Sequence, residues 1–225
     1  MSFDAQITTI KRNDPSWPPA LCHLPEHLAL EELWIAGPKH VLKVEKTALF
    51  CSSQCPGGVI LKTFDMITAM REERRTLIGG FHSPMERECL GILLRGPQPI
   101  IWVPARSIVG MHLKPELRPA FAAGRLLILS PFEPRHKRIT AEIAESRNRF
   151  VGALANRVFV AHAAPASRTL ALCNELHAIG KPIFTLDDPA NGNLHGIASK
   201  LRHEQNRSAD RNLTDHYASH RQHLL

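Results

Sequence analysis

Aromatic side chains are scarce in this sequence, which holds one tyrosine and nine phenylalanines among 225 residues. That argues against the OB-fold and RRM modes of binding, in which successive bases stack on exposed rings. No apolar run approaches the roughly 18 residues that cross a bilayer, and no basic-then-apolar leader opens the chain. Neither membrane spanning nor export is expected, and the expected location is the cytoplasm. The five cysteines, Cys22, Cys51, Cys55, Cys89 and Cys173, are odd in number and scattered through apolar segments. They read as reduced thiols, and the C-x3-C of Cys51 and Cys55 has no second pair to complete a zinc site. There is no G-x-S-x-G elbow for a hydrolase triad, and the 13 histidines show no H-E-x-x-H spacing. His203, His216, His220 and His223 crowd a polar tail and read as solvated surface. No catalytic set, metal site or cofactor is therefore expected.

What is present is charge and a regular alternation of elements. The formal net charge is +7 with a sequence pI near 9.5, which favours polyanionic partners at long range. A hydrophobic fraction of 44% supports a real core. The length fits one α/β domain with short appendages, or two very small ones. Residues 1–40, rich at first in proline and histidine (Pro15, Pro18, Pro19, His23, Pro25, His27), read as a lead-in packing on the domain, with Leu33–Gly37 a short apolar strand or turn. Residues 41–199 carry the domain itself. Strands are expected at Thr47–Cys51, Thr76–Gly79, Ile100–Val103, Leu126–Leu129, Val158–Ala161 and Ile183–Leu186. Helices are expected at Val59–Arg74, Pro84–Arg95, Pro115–Ala123 and Arg168–Ile179, with a Pro- and Arg-rich loop at Pro131–Arg138. Residues 200–225 read as a polar helix or tail. Strands separated by helices of this length demand crossover connections, hence a mostly parallel sheet with helices on both faces.

Ligands of such sheets bind outside the carboxyl ends of the strands. The candidates are Ser52, Ser53 and Gln54 after the first strand, and Gly79, Gly80, Phe81 and His82 after the second. Arg106 and Ser107 follow the third, Ser130 the fourth, His162 the fifth, and Asp187 and Asp188 the sixth. Glycines there let backbone N–H groups approach an anion, and a helix N-terminus adds partial positive charge. The equal alternative is a tight strand-to-helix turn with no ligand. Arg147 and Arg149, flanking Asn148, are shaped to hold phosphate, since a guanidinium pairs two oxygens at once. With one helix from Ile139 to Leu154, Arg147 interrupts an apolar stripe. With Ser146 capping a new helix, both arginines fall in its first turn. The competing expectation is a structural pairing with Glu142, Glu145 or an aspartate such as Asp187.

The stretch Ser146-Arg147-Asn148-Arg149-Phe150-Val151-Gly152-Ala153-Leu154-Ala155 resembles the R-N-R-I-I-A-G-L-S signature of the DNA-processing protein A family (DprA, or Smf). Val158–Ala161 and Gly180–Phe184 resemble the family's V-V-V-E-A and G-R-P-V-F. Leu77–Ser83 sits where it has S-G-G-A-R-G-I-D, Phe50–Ser53 where it has V-G-S-R, and Trp34–Gly37 resembles its L-Y-x-x-G lead-in. The resemblance covers about residues 24–197, and is specific at R-N-R and loose elsewhere. It implies an extended Rossmann-like fold that binds single-stranded DNA, serves recombination and DNA uptake with a RecA-type recombinase as partner, and commonly forms a homodimer. Some DprA-like proteins resemble antitoxins or partners in phage-defence loci, and the wider superfamily includes nucleotide sensors. The alternative reading is therefore a nucleotide-sensing regulator or antitoxin of a toxin partner, using the same crevice. An enzyme like the distant phosphoribohydrolases would want P-G-G-x-G-T-x-x-E, which is absent. Ser53 and His82 replace two arginines of the family pattern, which removes or weakens two phosphate contacts. The sequence also lacks the family's frequent N-terminal helical module and C-terminal winged helix, so a minimal, divergent DprA-like protein is expected.

Overall fold

The apolar runs of this chain become strands because each is short, rich in isoleucine, leucine and valine, and closed by turn residues. The computed structural model describes residues 3–22 and 30–201. Its first half runs β1 (Ile7–Lys11), β2 (Glu32–Ala36), β3 (Lys46–Cys51), α1 (Gly57–Glu72), β4 (Thr76–Gly79), α2 (Pro84–Leu94) and β5 (Ile100–Trp102). Then come α3 (Arg118–Ala122), β6 (Leu126–Ser130), α4 (Ala141–Leu154), β7 (Arg157–His162), α5 (Arg168–Ala178), β8 (Ile183–Leu186) and β9 (Ser199–Leu201). The strands lie in one sheet, β1-β2-β6-β5-β4-β3-β7-β8-β9. It is parallel from β6 to β9 and antiparallel where β2 pairs with β1 and with β6.

Every residue of β3, β4 and β6 is buried, as a sheet covered on both faces requires. Ala48, Phe50 and Ile78 face a core completed by Phe150 and Leu154 of α4 and Leu172 and Leu176 of α5. Leu49, Leu77 and Ile100 face the other, against Met66 and Ile67 of α1 and Cys89 and Leu93 of α2. The expected α/β fold is present, and all six expected strands form within a residue of their expected ends.

The edges of the sheet go beyond the periodicity. β1 and β2 form an antiparallel pair in register Ile7↔Ala36 to Lys11↔Glu32, and β2 then pairs with β6. These two strands extend the sheet, with Ile10, Leu33 and Ile35 fully buried. At the other edge β9 pairs with β8, so Lys200 and Leu201 of the expected tail are a strand. Residues 202–225, with their four histidines, and the stretch holding His23, Pro25 and His27 lie outside the described residues.

α4 is continuous. Thr140 caps it, its hydroxyl accepting from the Ile143 N–H at 3.2 Å. Ser146 is therefore mid-helix and starts nothing, and Ile139 lies outside the helix, exposed. The segment Pro115–Ala123 divides into a 3-10 turn, Pro115–Leu117, and the short α3. The five cysteines carry free thiols. No helix among the described residues is long and apolar enough to cross a membrane.

Candidate nucleic-acid interface

From β3 the chain proceeds outward through β4, β5 and β6, then returns to place β7 on the other side of β3. Strand order reverses between β3 and β7, the usual ligand crevice of open α/β sheets. Here that crevice is stitched shut at Ser52, which is buried. Its Oγ accepts from the Ala164 N–H at 2.9 Å and lies 3.2 Å from the Ser167 Oγ, while its own N–H donates to the His162 carbonyl at 2.9 Å. Ser167 caps α5, its hydroxyl accepting from Leu170 N–H. His162 is tied through Nδ1 to Asn191 Oδ1 at 2.9 Å. Asp188 pairs with Lys62 and Asp187 with Lys200. Ser53 and Gln54 are exposed beyond the stitch.

The turn after β4 is more unusual. Phe81 is buried with φ at +46°, a left-handed conformation that a side chain of its size adopts at a cost. Ser83 begins α2 with a reciprocal capping box, Pro84 following at the first helical position. The Glu86 carboxylate that completes the box also collects the surrounding backbone donors. Its Oε2 accepts from His82 N–H at 2.8 Å and Ser83 N–H at 3.3 Å, and its Oε1 from Cys51 N–H at the end of β3 at 3.0 Å. Burial pushes the Glu86 carboxyl above its ordinary pKa. The His82 N–H, the Arg147 charge and the Cys51 and Ser83 N–H groups pull the other way. Glu86 is a residue that sequence reasoning missed, and its signal was the S-x-x-E spacing from Ser83.

Arg147 reaches from the middle of α4 across the ends of β4 and β5. It is 3% exposed. Its Nη1 donates to the Val103 carbonyl at 2.9 Å and its Nε to Asn148 Oδ1 at 2.8 Å. Gly80 is what admits it: a Cβ built there would lie 1.3 Å from Nη1. Trp102 Nε1 donates to the Gly80 carbonyl at 3.2 Å, and Val103 N–H to the Gly79 carbonyl at 2.9 Å. Gly80 thus serves a close approach, with Arg147 as the approaching group, while a Cβ at Gly79 would meet the Phe81 ring at 3.3 Å. Burial lowers the Arg147 pKa and the Glu86 charge opposes this.

Arg149 points elsewhere, because positions two apart on a helix do not share a face. It pairs with Glu175 of α5 through two bonds of 2.7 and 2.9 Å. Asn148, Arg149, Glu145 and Arg168 border a depression of about 60 Å³ between α4 and α5, where Arg168 pairs with Glu145 at 2.9 Å. The three residues of the R-N-R therefore separate, and Asn148 links the buried arginine to the outer surface. Of the carboxylates weighed as partners, Glu145 pairs instead with Arg168 and Asp187 with Lys200, and the carboxylate that pairs with Arg149 is Glu175.

Beside this knot the loops after β5 and β6 are joined. Ser107 N–H donates to the His136 carbonyl at 2.8 Å, and Ser130 Oγ donates to the Arg106 carbonyl at 2.9 Å while accepting from Phe132 N–H. Phe132 packs edge-on against His136. The result is a fixed rim at the strand ends that exposes Arg135, Lys137 and Arg138 near the half-buried Arg106. Glu133 is the acid of that loop, and it meets Arg135 at 3.1 Å in a solvated pair. His82 is exposed at the neighbouring strand end.

An open, mostly parallel sheet with helices on both faces and a glycine turn packed under a buried arginine at its strand ends defines a Rossmann-like α/β protein. No family model and no curated protein matches the sequence. Among solved structures, the fold is that of DNA processing protein A. The Helicobacter pylori protein, reported for its single-stranded DNA binding mode, is similar with a TM-score of 0.74 at 17% identity, over 93% of this chain and 97% of that one. The Streptococcus pneumoniae protein gives 0.70 at 18% identity, over 86% of this chain and 68% of that one. A molybdenum cofactor binding protein from Rippkaea orientalis is similar more distantly, with a TM-score of 0.51 at 10% identity over 76% of this chain and 97% of that one. The DprA-like fold expected from the sequence is present, at an identity that fits a divergent chain.

Proposed function

We propose that this chain is a non-enzymatic single-stranded DNA-binding protein of DprA type, acting in DNA recombination or uptake. It holds the phosphate backbone along the carboxyl ends of β4, β5 and β6. The joined loops after β5 and β6 carry the reading. They hold Arg135, Lys137 and Arg138 in one exposed rim beside Arg106, with a single weakly paired acid among them. Such a row neutralises successive phosphates without reading sequence. His82 and Ser53 extend the track across the ends of β4 and β3, while the buried Gly79-Gly80 turn, covered by Arg147, lies beneath it. Arg147 and Asn148 support that turn from beneath, Ser52 fixes the adjoining crevice, and Arg149 marks the outer end of the surface. The similarity to the H. pylori DprA, reported as a single-stranded DNA binder, supports the choice of ligand.

Titration with labelled oligo-dT across a salt series tests the reading. Affinity is expected to fall with salt at a slope of about −0.7 per neutralised phosphate. The triple change Arg135→Ala, Lys137→Ala, Arg138→Ala is expected to weaken binding roughly tenfold or more and to flatten that slope by about 2. Salt-insensitive binding, or none at low ionic strength, would count against the DNA reading. A mononucleotide that binds more tightly than the oligonucleotide would transfer the crevice to the regulator reading.

A further inference from the structure

The amino ends of β3, β4 and β7, at the opposite pole from the proposed DNA track, border a cavity of about 390 Å³. That volume falls in the range of small-molecule sites. Lys46, Arg74, Arg75 and Arg157 line it, and Glu45 is the one carboxylate among the lining residues. Glu45 is engaged by Arg157 at 3.0 Å, and Arg75 holds Glu73.

Lys46 distinguishes this cavity from a solvated basic face. It is 6% exposed, and among the described residues no carboxylate lies within ion-pair distance of its ammonium. Glu45 acts on it only through its field. A lysine so largely buried with no counter-charge beside it is costly, and lysines are rarely found so. Burial lowers its pKa to about 8, the Lys181 charge adds to this and Glu45 opposes it. Lys181 gives no relief, since its ammonium is itself a cation, spent on the Ala153 and Ala155 carbonyls at 3.0 and 2.6 Å. Arg74 adds a second anomaly. It occupies the left-handed position of the motif that ends α1, at φ +57°, where Arg75 N–H returns to the Met70 carbonyl and Arg74 N–H to Arg71. Glycine is the usual residue there, and an arginine accepts strain to stand at the cavity's rim.

We propose that this cavity is a second anion site, taking a phosphate group through the Lys46 ammonium and the Arg74, Arg75 and Arg157 guanidinium groups at its rim. Phosphate suits the set better than a simple monoanion, since it carries up to two charges and three free oxygens for forked donors. The group belongs either to a free phosphate compound or to a phosphodiester backbone. The site lies away from the proposed DNA track and goes beyond that reading.

The test uses the full chain and inorganic pyrophosphate, followed by thermal melting and calorimetric titration at constant ionic strength, with sodium chloride as the control. A saturable rise in melting temperature is expected with pyrophosphate and not with chloride. Lys46→Met is expected to melt higher than wild type without ligand, because a charge that burial disfavours is removed, and to bind pyrophosphate at least tenfold more weakly. Arg74→Gly relieves the left-handed backbone, so it keeps the fold while also losing affinity. No saturable response in wild type, or an undiminished response in both variants, would overturn the site. Competition between oligo-dT and pyrophosphate that disappears in Lys46→Met would support the site with a nucleic-acid backbone as its source. Pyrophosphate binding unaffected by oligo-dT would support it with a free phosphate compound. Absence of oligo-dT binding alongside a normal pyrophosphate response would count against the DNA track alone.

Discussion

Arg147→Ala is expected to lower stability by about 3–5 kcal/mol, the range for removing one partner of a buried charged set. Three losses combine. The Val103 carbonyl and Asn148 Oδ1 lose a charge-assisted donor. The space above Gly80 empties, since the guanidinium occupies the place of a side chain there. Glu86 loses the positive field that offsets its burial, so its carboxyl pKa rises further. Arg149→Ala removes only a half-exposed pair with Glu175 and is expected to change stability by about 1 kcal/mol or less. Gly80→Ala should behave like Arg147→Ala, because its methyl must displace the guanidinium. The double variant should then be little worse than either single one, as expected for residues sharing one contact. Denaturant unfolding beside an oligo-dT titration, scored per folded molecule, checks this. An Arg147→Ala protein as stable as wild type but unable to bind DNA would make the residue a ligand contact instead of a support.

Glu86→Ala is expected to cost a similar amount, about 3–5 kcal/mol, for a different reason. It leaves the Cys51, His82 and Ser83 N–H groups without their acceptor at the junction of β3, β4 and α2. Each unsatisfied buried donor costs about 1–3 kcal/mol, less where water can enter. Glu86→Gln keeps one oxygen but turns an amide NH2 toward backbone donors, so an intermediate loss is expected. Amide hydrogen exchange separates this from general destabilisation: the N–H groups of residues 51, 82 and 83 should exchange far faster in Glu86→Ala, while those of β6 follow the global change. Unchanged protection at these three positions would show that the carboxylate does not hold the turn.

Much of the fold was legible along the chain. The central strands announce themselves because a parallel strand covered on both faces is a nearly continuous apolar run, as Leu77–Gly79 and Leu126–Leu129 are. β1 and β9 were not legible. Ile-Thr-Thr-Ile-Lys buries a single residue fully and Ser-Lys-Leu none, so their strand character comes from the neighbour they pair with. The R-N-R stood out in the sequence as a unit, and helix geometry alone separates its arginines onto different faces.

The residues by themselves determined an α/β chain with a mostly parallel sheet, a basic balance, glycines after the second central strand and a DprA-like order of motifs. Periodicity and turn chemistry are local, so one dimension suffices to read them. Only the tertiary structure decided which charges are spent and which are free. Arg147 is consumed by a carbonyl 44 residues away and Arg149 by a carboxylate 26 residues away. Arg135, Lys137 and Arg138 stay at the surface because two loops are tied across the strand ends. Lys46 lies largely buried at the cavity bordered by the amino ends of three strands, with no carboxylate of the described residues paired to it. Charge pairing depends on distances of a few ångströms between residues far apart in sequence, and only the folded chain sets those distances.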